Sequence, residues 1–174
     1  INFDSKLISI KKENEKFYVN GNLKSKKNKI NKDIIFLIFN NYLEDFDFSN
    51  SKFDSNSEFN FDFIKKFKIR NLKIDSKLNI DELIIKRNLY KIKKYINEYK
   101  GLIKLKKNEI NINYLKKKLL IDGSSEFYID KDIKNLKNFK IEKNKNITNF
   151  EDFFNLKNID LKIDDISFHK EKKD

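Results

Sequence analysis

The segment from Phe46 to Ile85 constrains the fold of this chain most, because its large apolar residues repeatedly lie two positions apart. Phe59, Phe61 and Phe63 alternate with polar residues, and the same spacing recurs further along the segment. A period of two is the signature of a β-strand with one buried face. The segment therefore predicts long antiparallel strands with one apolar face and one face of Lys, Asp, Asn and Ser.

The apolar positions change parity within this segment. They are odd over residues 53–69 and even over residues 72–80. A parity change moves side chains to the other face of a sheet unless a turn or a bulge intervenes. We therefore expect a turn within Asn50–Ser57, a further turn at Lys65–Lys66, and a bulge or a turn at Arg70–Asn71.

The residues before this segment predict a pair of strands within positions 1–30, connected by the polar residues Lys11–Lys16. Asn20 precedes Gly21, and Asn-Gly is a strong signal for a two-residue hairpin. The same glycine is also compatible with a bend or a bulge inside a strand.

Two segments have helical rather than alternating spacing. Apolar residues form a broad face over residues 33–43, which predicts a short buried helix with a buried strand as the alternative. Residues 86–100 repeat apolar positions at three and four, and Gly101 follows as a C-cap. We expect the longest helix of the chain at residues 86–100.

Strand signals return after Gly101 and predict a meander of adjacent antiparallel strands. Turns are expected at Lys106–Glu109 and Lys116–Lys118, and residues 131–147 are only weakly periodic. Thr148 and Glu151 match a helix capping box, so a brief helical turn is expected there. One strand, or two separated by a turn, follows over residues 159–168, and residues 169–174 are expected to form a loose tail. No Pro-rich or Gly/Ser-rich linker occurs, so residues 1–174 read as a single β-rich unit, which we expect to be a segment of a larger protein.

The net charge of +12 raises the question of nucleic-acid binding. Of the 39 basic residues only Arg70 and Arg87 are Arg, whereas bidentate phosphate and base contacts favour Arg. The lysines are also mixed with Asp and Glu, and an AT-rich genome would impose this composition. Nucleic acid is therefore an unlikely partner, although a Lys-rich nucleic-acid or ribosome-associated protein stays the first alternative.

The sequence lacks the residue sets that enzymes and metal sites use. It contains no Cys, so thiolate chemistry is excluded, and His169 is its one His, which is too few for a zinc site built on His or Cys ligands. Asp45, Asp47 and Asp54 lack the glycine and glutamate positions of a calcium loop. We expect no enzyme activity, no metal and no cofactor.

Two phrases repeat alternating apolar residues around a glycine, namely FYVNGNLK at residues 17–24 and LLIDGSSEFYID at residues 119–130. In this repeated strand pattern the chain resembles the AsmA-like bacterial envelope family, which includes TamB and YhdP. The resemblance extends over most of residues 1–168. The helices expected at 33–43 and 86–100 and the scarcity of Gly depart from the family pattern.

The resemblance implies a long antiparallel sheet curved into an apolar groove that carries phospholipid across the periplasm and supports outer-membrane integrity. It also implies an inner-membrane anchor outside this segment, with phospholipid acyl chains and other envelope proteins as partners. A structural β-domain that binds a protein partner is the second alternative. The expected lipid-binding residues are those of the apolar face: Phe46, Phe48, Phe59, Phe61, Phe63, Phe67, Ile69, Leu72, Ile74, Leu78, Ile80, Ile110, Ile112 and Tyr114.

Overall fold

The computed structural model describes residues 4–31, 46–64, 68–86, 90–96, 99–129 and 134–171. Nearly all of these residues lie in strands, so the predicted β-rich fold is confirmed. The strands are β1 (Asp4–Glu13), β2 (Lys16–Lys29), β3 (Phe46–Asp47), β4 (Lys52–Ile64), β5 (Ile69–Lys86), β6 (Leu102–Leu115), β7 (Lys118–Ile129), β8 (Asn135–Asn144), β9 (Ile147–Asn155), β10 (Leu161–Ile163) and β11 (Phe168–Lys170). A short helix, α1 (Tyr90–Tyr95), precedes β6, and a 3₁₀ turn (Asp164–Ile166) separates β10 from β11.

The strands form one large antiparallel sheet and one small hairpin. The large sheet has nine strands within the described residues, and its main path is β1-β2-β4-β5-β6-β7-β8-β9. The short strand β3 pairs with the C-terminal end of β5, and β10 pairs with β11 separately. Sequential strands are neighbours along nearly the whole path, so the predicted meander is confirmed.

Strand β5 shows how directly the alternation produces the sheet. Its 18 residues alternate between exposed and half-buried along most of the strand. At ~3.3 Å per residue it is roughly 60 Å long, about three times a common strand. Strand β4 has the same alternation, and its partner in register is β5.

The parity change at residue 71 is a bulge, which confirms one of the two predictions for Arg70–Asn71, a bulge or a turn. Phe63 pairs with Ile69 and Phe59 pairs with Ile74, so β5 contains one residue more than β4 over this interval. Asn71 has a φ of 51° and its Nδ2 donates to Asp62 Oδ1 at 2.7 Å. Asn adopts this left-handed conformation more readily than most residues, which suits it to a bulge.

Strands continue through several of the predicted turn positions. The turn between β1 and β2 is at Asn14–Glu15, inside the predicted connection Lys11–Lys16, and Gly21 lies inside β2, the strand position that was the alternative to a hairpin turn. The turn expected within residues 50–57 is confined to Ser49–Asn50, since β4 begins at Lys52. The turn expected at residues 106–109 is a second bulge within β6, where Lys107 has a φ of 49°. The turn at Lys116–Lys118 is confirmed, and Lys65–Lys66 lies outside the described residues.

The helix predictions fare worse than the strand predictions. Within residues 86–100, Lys86 belongs to β5 and α1 is only six residues long. The Thr148–Glu151 capping box lies in β9, because Phe150 and its neighbours pair with β8 instead of coiling. The helix expected at residues 33–43 lies outside the described residues. Strand β11 includes His169 and Lys170, two residues that we assigned to a loose tail.

Two clusters of buried residues stabilise one end of the sheet. Phe48, from the loop after β3, packs on Ile80 and Leu83 of β5. The second cluster joins Phe127 and Ile129 of β7 to residues from two covering segments, namely Ile96 and Tyr99 after α1 and Ile159 before β10. Burial of such side chains stabilises the fold by about 1.5–3 kcal/mol each. The covering segments therefore form a second layer over this end of the large sheet.

Candidate functional site

The apolar face of the large sheet is the candidate functional surface. Directly opposed residues in antiparallel strands point to the same face. One row across the sheet contains Gly21, Phe59, Ile74, Tyr114 and Leu119. A neighbouring row contains Ile112, Ile121, Ile141 and Phe150. This row continues into β5 and β4 as Ser76 and Ser57, whose hydroxyl oxygens are 2.6 Å apart. The strand register thus places apolar residues that are far apart in sequence on one face, with a hydroxyl pair among them.

The structure brings most of the predicted site residues together on this face. Leu78 pairs with Ile110 and Ile74 pairs with Tyr114, while Phe48 and Ile80 are buried in the cluster described above. Ile69 is 56% exposed at the far end of β5, and Phe67 lies outside the described residues.

A ladder of phenylalanine rings extends along β4 on this face. The Phe59 and Phe61 rings are 6.1 Å apart between centroids, and those of Phe61 and Phe63 are 6.3 Å apart. Phe17 of β2 stacks on Phe63 with a centroid distance of 4.9 Å and an interplanar angle of 8°. Stacked and offset rings at these distances attract one another beyond the area that they bury. The ladder gives this part of the face a flat aromatic surface.

The middle of the apolar face is only half-buried. Apart from Ile69, the apolar residues of β4 and of β5 up to Leu78 have intermediate exposure. Among the described residues, the second layer of α1, its following loop and the β10–β11 hairpin packs on the end near Phe127 and Ile129. Large apolar surfaces that stay accessible on a folded protein commonly mark binding surfaces.

The opposite face is polar and contains ordered side-chain pairs. Asn22 Nδ2 donates to Asn56 Oδ1 at 3.0 Å, and Asn111 Nδ2 donates to Asp122 Oδ2 at 2.8 Å. Such cross-strand pairs stabilise the register of a sheet. The polar face therefore supports the strand register.

Glu126 on β7 is the centre of the best-developed polar network. It accepts hydrogen bonds from Lys134 Nζ at 2.6 Å, Lys107 Nζ at 3.0 Å and the Tyr128 hydroxyl at 3.0 Å. The hydrogen bonds from Lys134 and Lys107 lower the pKa of the Glu126 carboxyl to about 2. This network fixes Lys107, the positive-φ residue of the β6 bulge.

A cavity of about 640 Å³ lies between the sheet and its covering layer. Its walls are apolar residues of both layers, including Ile103, Phe127 and Phe154 from the sheet and Leu161 from β10. Two charged residues, Lys137 and Asp152, also line it. The sequence reasoning missed this cavity, because residues 131–147 read as weakly periodic and the Thr148–Glu151 pair read as a helix start. The signal in the sequence was that Lys137, Phe139 and Ile141 lie two residues apart, a spacing that places Lys137 on the apolar face of a strand.

The described parts of the chain show neither a group of three metal-ligating side chains nor a helix long and apolar enough to cross a membrane. No protein-family model, curated protein or solved structure matches this chain.

Proposed function

We propose that this chain binds the acyl chains of phospholipid along the apolar face of its large sheet, as a segment of an AsmA-like envelope protein. The half-exposed apolar face, which extends from β2 to β7 and contains the hydroxyl pairs Ser25–Ser55 and Ser57–Ser76, carries the proposal. Each buried methylene of an acyl chain would contribute about 0.8 kcal/mol. A surface of this kind can therefore hold lipid without a specific polar contact and allow the lipid to slide along the strands.

The face has the properties that nonspecific lipid binding requires. Phe, Ile, Leu and Val occupy most positions of the face, and most of the polar side chains that alternate with them lie on the other face. The polar groups that share the apolar face include two hydrogen-bonded hydroxyl pairs, Ser25–Ser55 and Ser57–Ser76. A lipid chain lying across the strands would meet one aromatic or aliphatic side chain per strand along a row such as Phe59–Ile74–Tyr114. On this proposal the full-length protein is anchored in the inner membrane by other regions, and this segment lies in the periplasm.

Site-specific photo-crosslinking in cells tests the proposal, with the crosslinker at Phe61 or Ile74 on the apolar face. Matched controls carry it at Asn60 or Lys73, which oppose each other on the polar face of the same two strands. We expect phospholipid adducts from the apolar positions and none from the polar positions. Adducts with protein alone at Phe61 and Ile74 would contradict lipid binding.

A specific observation also favours a protein partner. Strand β9 pairs only with β8 among the described residues, and Ile147, Phe150 and Phe153 on it are exposed. An exposed edge strand rich in aromatic residues is a template for strand addition. On this second proposal, β9 pairs with the edge strand of a second copy or of the rest of a longer sheet.

The second proposal is tested by sedimentation at increasing protein concentration. Self-association that disappears in a Phe150→Lys, Phe153→Lys variant would support pairing through β9, because charges on an edge strand block strand addition. A chain that stays monomeric at all concentrations would exclude pairing between copies.

Nucleic acid ranks below both partners. Some of the described lysines form ion pairs, such as Lys140 with Glu142 at 2.7 Å and Lys94 with Asp165 at 2.8 Å. Paired lysines have carboxylates beside them that repel phosphate. Retention on RNA at low salt that decreases steeply as salt increases would overturn this ranking.

A further inference from the structure

The cavity between the sheet and its covering layer differs from the open face because residues of both layers line it and because a charged pair lies in its wall. The sheet contributes Ile103, Leu105 and Phe127, and the covering layer contributes Ile96 and Leu161. Its volume of about 640 Å³ lies within the range of small-molecule sites. An apolar site with few polar groups is the usual form of such a pocket.

Lys137 and Asp152 project into this apolar wall as a result of strand register. Lys137 pairs across the strands with Phe154, and Asp152 pairs with Phe139, so both charges lie on the apolar face. The Lys137 and Asp152 side chains are only 17% and 22% exposed, and Nζ lies 2.7 Å from Oδ1. The Lys137 ammonium also lies 5.0 Å from the centroid of the Phe154 ring and 5.2 Å from that of Phe139.

A charged pair in this position is costly as a purely structural device. Desolvation of a partly buried pair can equal or exceed its Coulomb attraction, and apolar residues of similar size often stabilise as well or better. The pair thus places a cation in the wall of an otherwise apolar cavity, where an anionic ligand would contact it. Lys137 Nζ forms an ion pair with Asp152 Oδ1, and both side chains line the cavity. An ammonium has three N–H donors, so this one ion pair does not use all of them.

We propose that the cavity binds one long-chain fatty acid, with its carboxylate on Lys137 Nζ and its chain among the apolar residues of both layers. If a methylene takes roughly the ~30 Å³ that a water molecule occupies in the liquid, a sixteen-carbon chain needs roughly 480 Å³. Two such chains would need roughly 960 Å³ on the same basis, which exceeds the cavity. Size thus selects a single chain, and the ammonium selects an anionic end.

Asp152 gives this site a built-in competitor. Its carboxylate occupies one side of the Lys137 ammonium, so a fatty-acid carboxylate must share that cation with it. Neutralising Asp152 leaves the ammonium to the ligand alone. Binding of the acid should therefore respond in opposite directions to the loss of Lys137 and to the loss of the Asp152 charge.

The test compares hexadecanoic acid with hexadecan-1-ol on the whole chain, by displacement of a fluorescent fatty acid and by calorimetry. Lys137→Met should weaken the acid by roughly ten- to a hundredfold, the loss expected for a charged hydrogen bond, and should change the alcohol by less than about threefold. Asp152→Asn should tighten the acid several-fold. Urea midpoints of both variants establish that they fold, and Lys137→Arg, which keeps the charge, should retain acid binding.

Two results would overturn the inference. One is that hexadecanoic acid does not bind to the folded wild-type chain at micromolar concentration. The other is that Lys137→Met weakens the acid and the alcohol equally, which would make Lys137 a packing residue only.

This inference goes beyond the proposed phospholipid function and can fail separately from it. Phe59→Asp on the open face should abolish phospholipid crosslinking at Phe61 and leave hexadecanoic acid binding unchanged, because Phe59 is not among the residues that line the cavity. Leu161→Trp in the covering layer should fill the cavity, so it should abolish hexadecanoic acid binding and leave phospholipid crosslinking at Phe61 unchanged. Loss of acid binding in the Phe59→Asp variant, with an unchanged urea midpoint, would place the acid on the open face and refute the cavity.

Discussion

Replacing Gly123 with Ala should destabilise the sheet more than its position in the middle of a strand suggests. Gly123 lies on β7 between Ile110 of β6 and Phe139 of β8, on the apolar face. A Cβ placed there would lie 2.5 Å from the Glu109 carbonyl oxygen and 2.7 and 2.8 Å from two carbons of the Phe139 ring. The ring can rotate away, but the carbonyl belongs to the β6 main chain beside the bulge at Lys107 and has little room to move.

The expected loss follows from these contacts. Forcing a methyl group into a closely packed site costs about 1–3 kcal/mol, and we expect the upper half of this range because one obstacle is backbone. With a urea m-value of about 2 kcal/mol/M, a loss of about 2 kcal/mol lowers the unfolding midpoint by about 1 M. Ser124→Ala is the matched control, since Ser124 is the exposed next residue of the same strand and should change stability by less than about 0.5 kcal/mol.

A double variant separates the two obstacles. Phe139→Leu removes the ring but not the carbonyl, so in a double-mutant cycle it should relieve only part of the loss caused by Gly123→Ala. Urea unfolding followed by far-UV circular dichroism measures all four midpoints. If Gly123→Ala unfolds at the same urea concentration as the wild type, the close approach of β6, β7 and β8 at this row is wrong.

Three further predictions concern polar residues that the sheet depends on. Asn71→Val should lower the free energy of unfolding by about 2–4 kcal/mol, because it places a β-branched residue at a positive φ and removes the hydrogen-bond donor to buried Asp62. Asn71→Gly should lower it less, since glycine adopts a positive φ without strain, and thermal unfolding compares the two variants. The free energy of unfolding should fall as the pH decreases from about 4.5 to about 2, because the folded-state pKa of Glu126 is depressed. The ionised Glu126 carboxylate contributes its full stabilisation above the ordinary pKa of 4.5 and loses it as the pH falls to about 2. Glu126→Gln should flatten this part of a pH–stability profile. Asn108→Leu should cost about 1–3 kcal/mol in urea unfolding, because Nδ2 of this buried residue donates to the Ile80 and Leu105 carbonyls, which would be left without it.

The strands that sequence predicts best are those with strict alternation and a single change of parity. In β4 and β5 the positions of the apolar residues directly predict the buried face, and the parity change predicts the bulge at Asn71. The information is local, because each side chain alternates with its own neighbours. The meander followed from the short polar connections between such strands.

The helix predictions and the cavity could not be obtained in the same way. The apolar spacing over residues 86–100 fits a helix, but Lys86 is used by β5 and only Tyr90–Tyr95 coil. Lys137 and Asp152 become neighbours only through the register of β8 on β9, which no local pattern specifies. Tertiary pairing decides both cases, and it outweighs local propensity of a few tenths of a kcal/mol per residue.

Bulges explain how one face stays apolar across strands whose apolar residues do not keep one parity. Phe59 and Phe63 are four residues apart on β4, whereas their partners Ile74 and Ile69 are five apart on β5, so only an extra residue at the bulge returns both pairs to the same face. In β2 the bulge at Lys27 inserts an extra residue opposite β4, and its backbone N–H is held by Asp54 Oδ1 at 2.6 Å. A strand without these insertions would present its second half to the polar face, since a one-residue shift inverts every side chain. The continuity of the apolar surface, and with it the proposed lipid binding, therefore depends on a few polar residues that hold bulges and that contact no lipid.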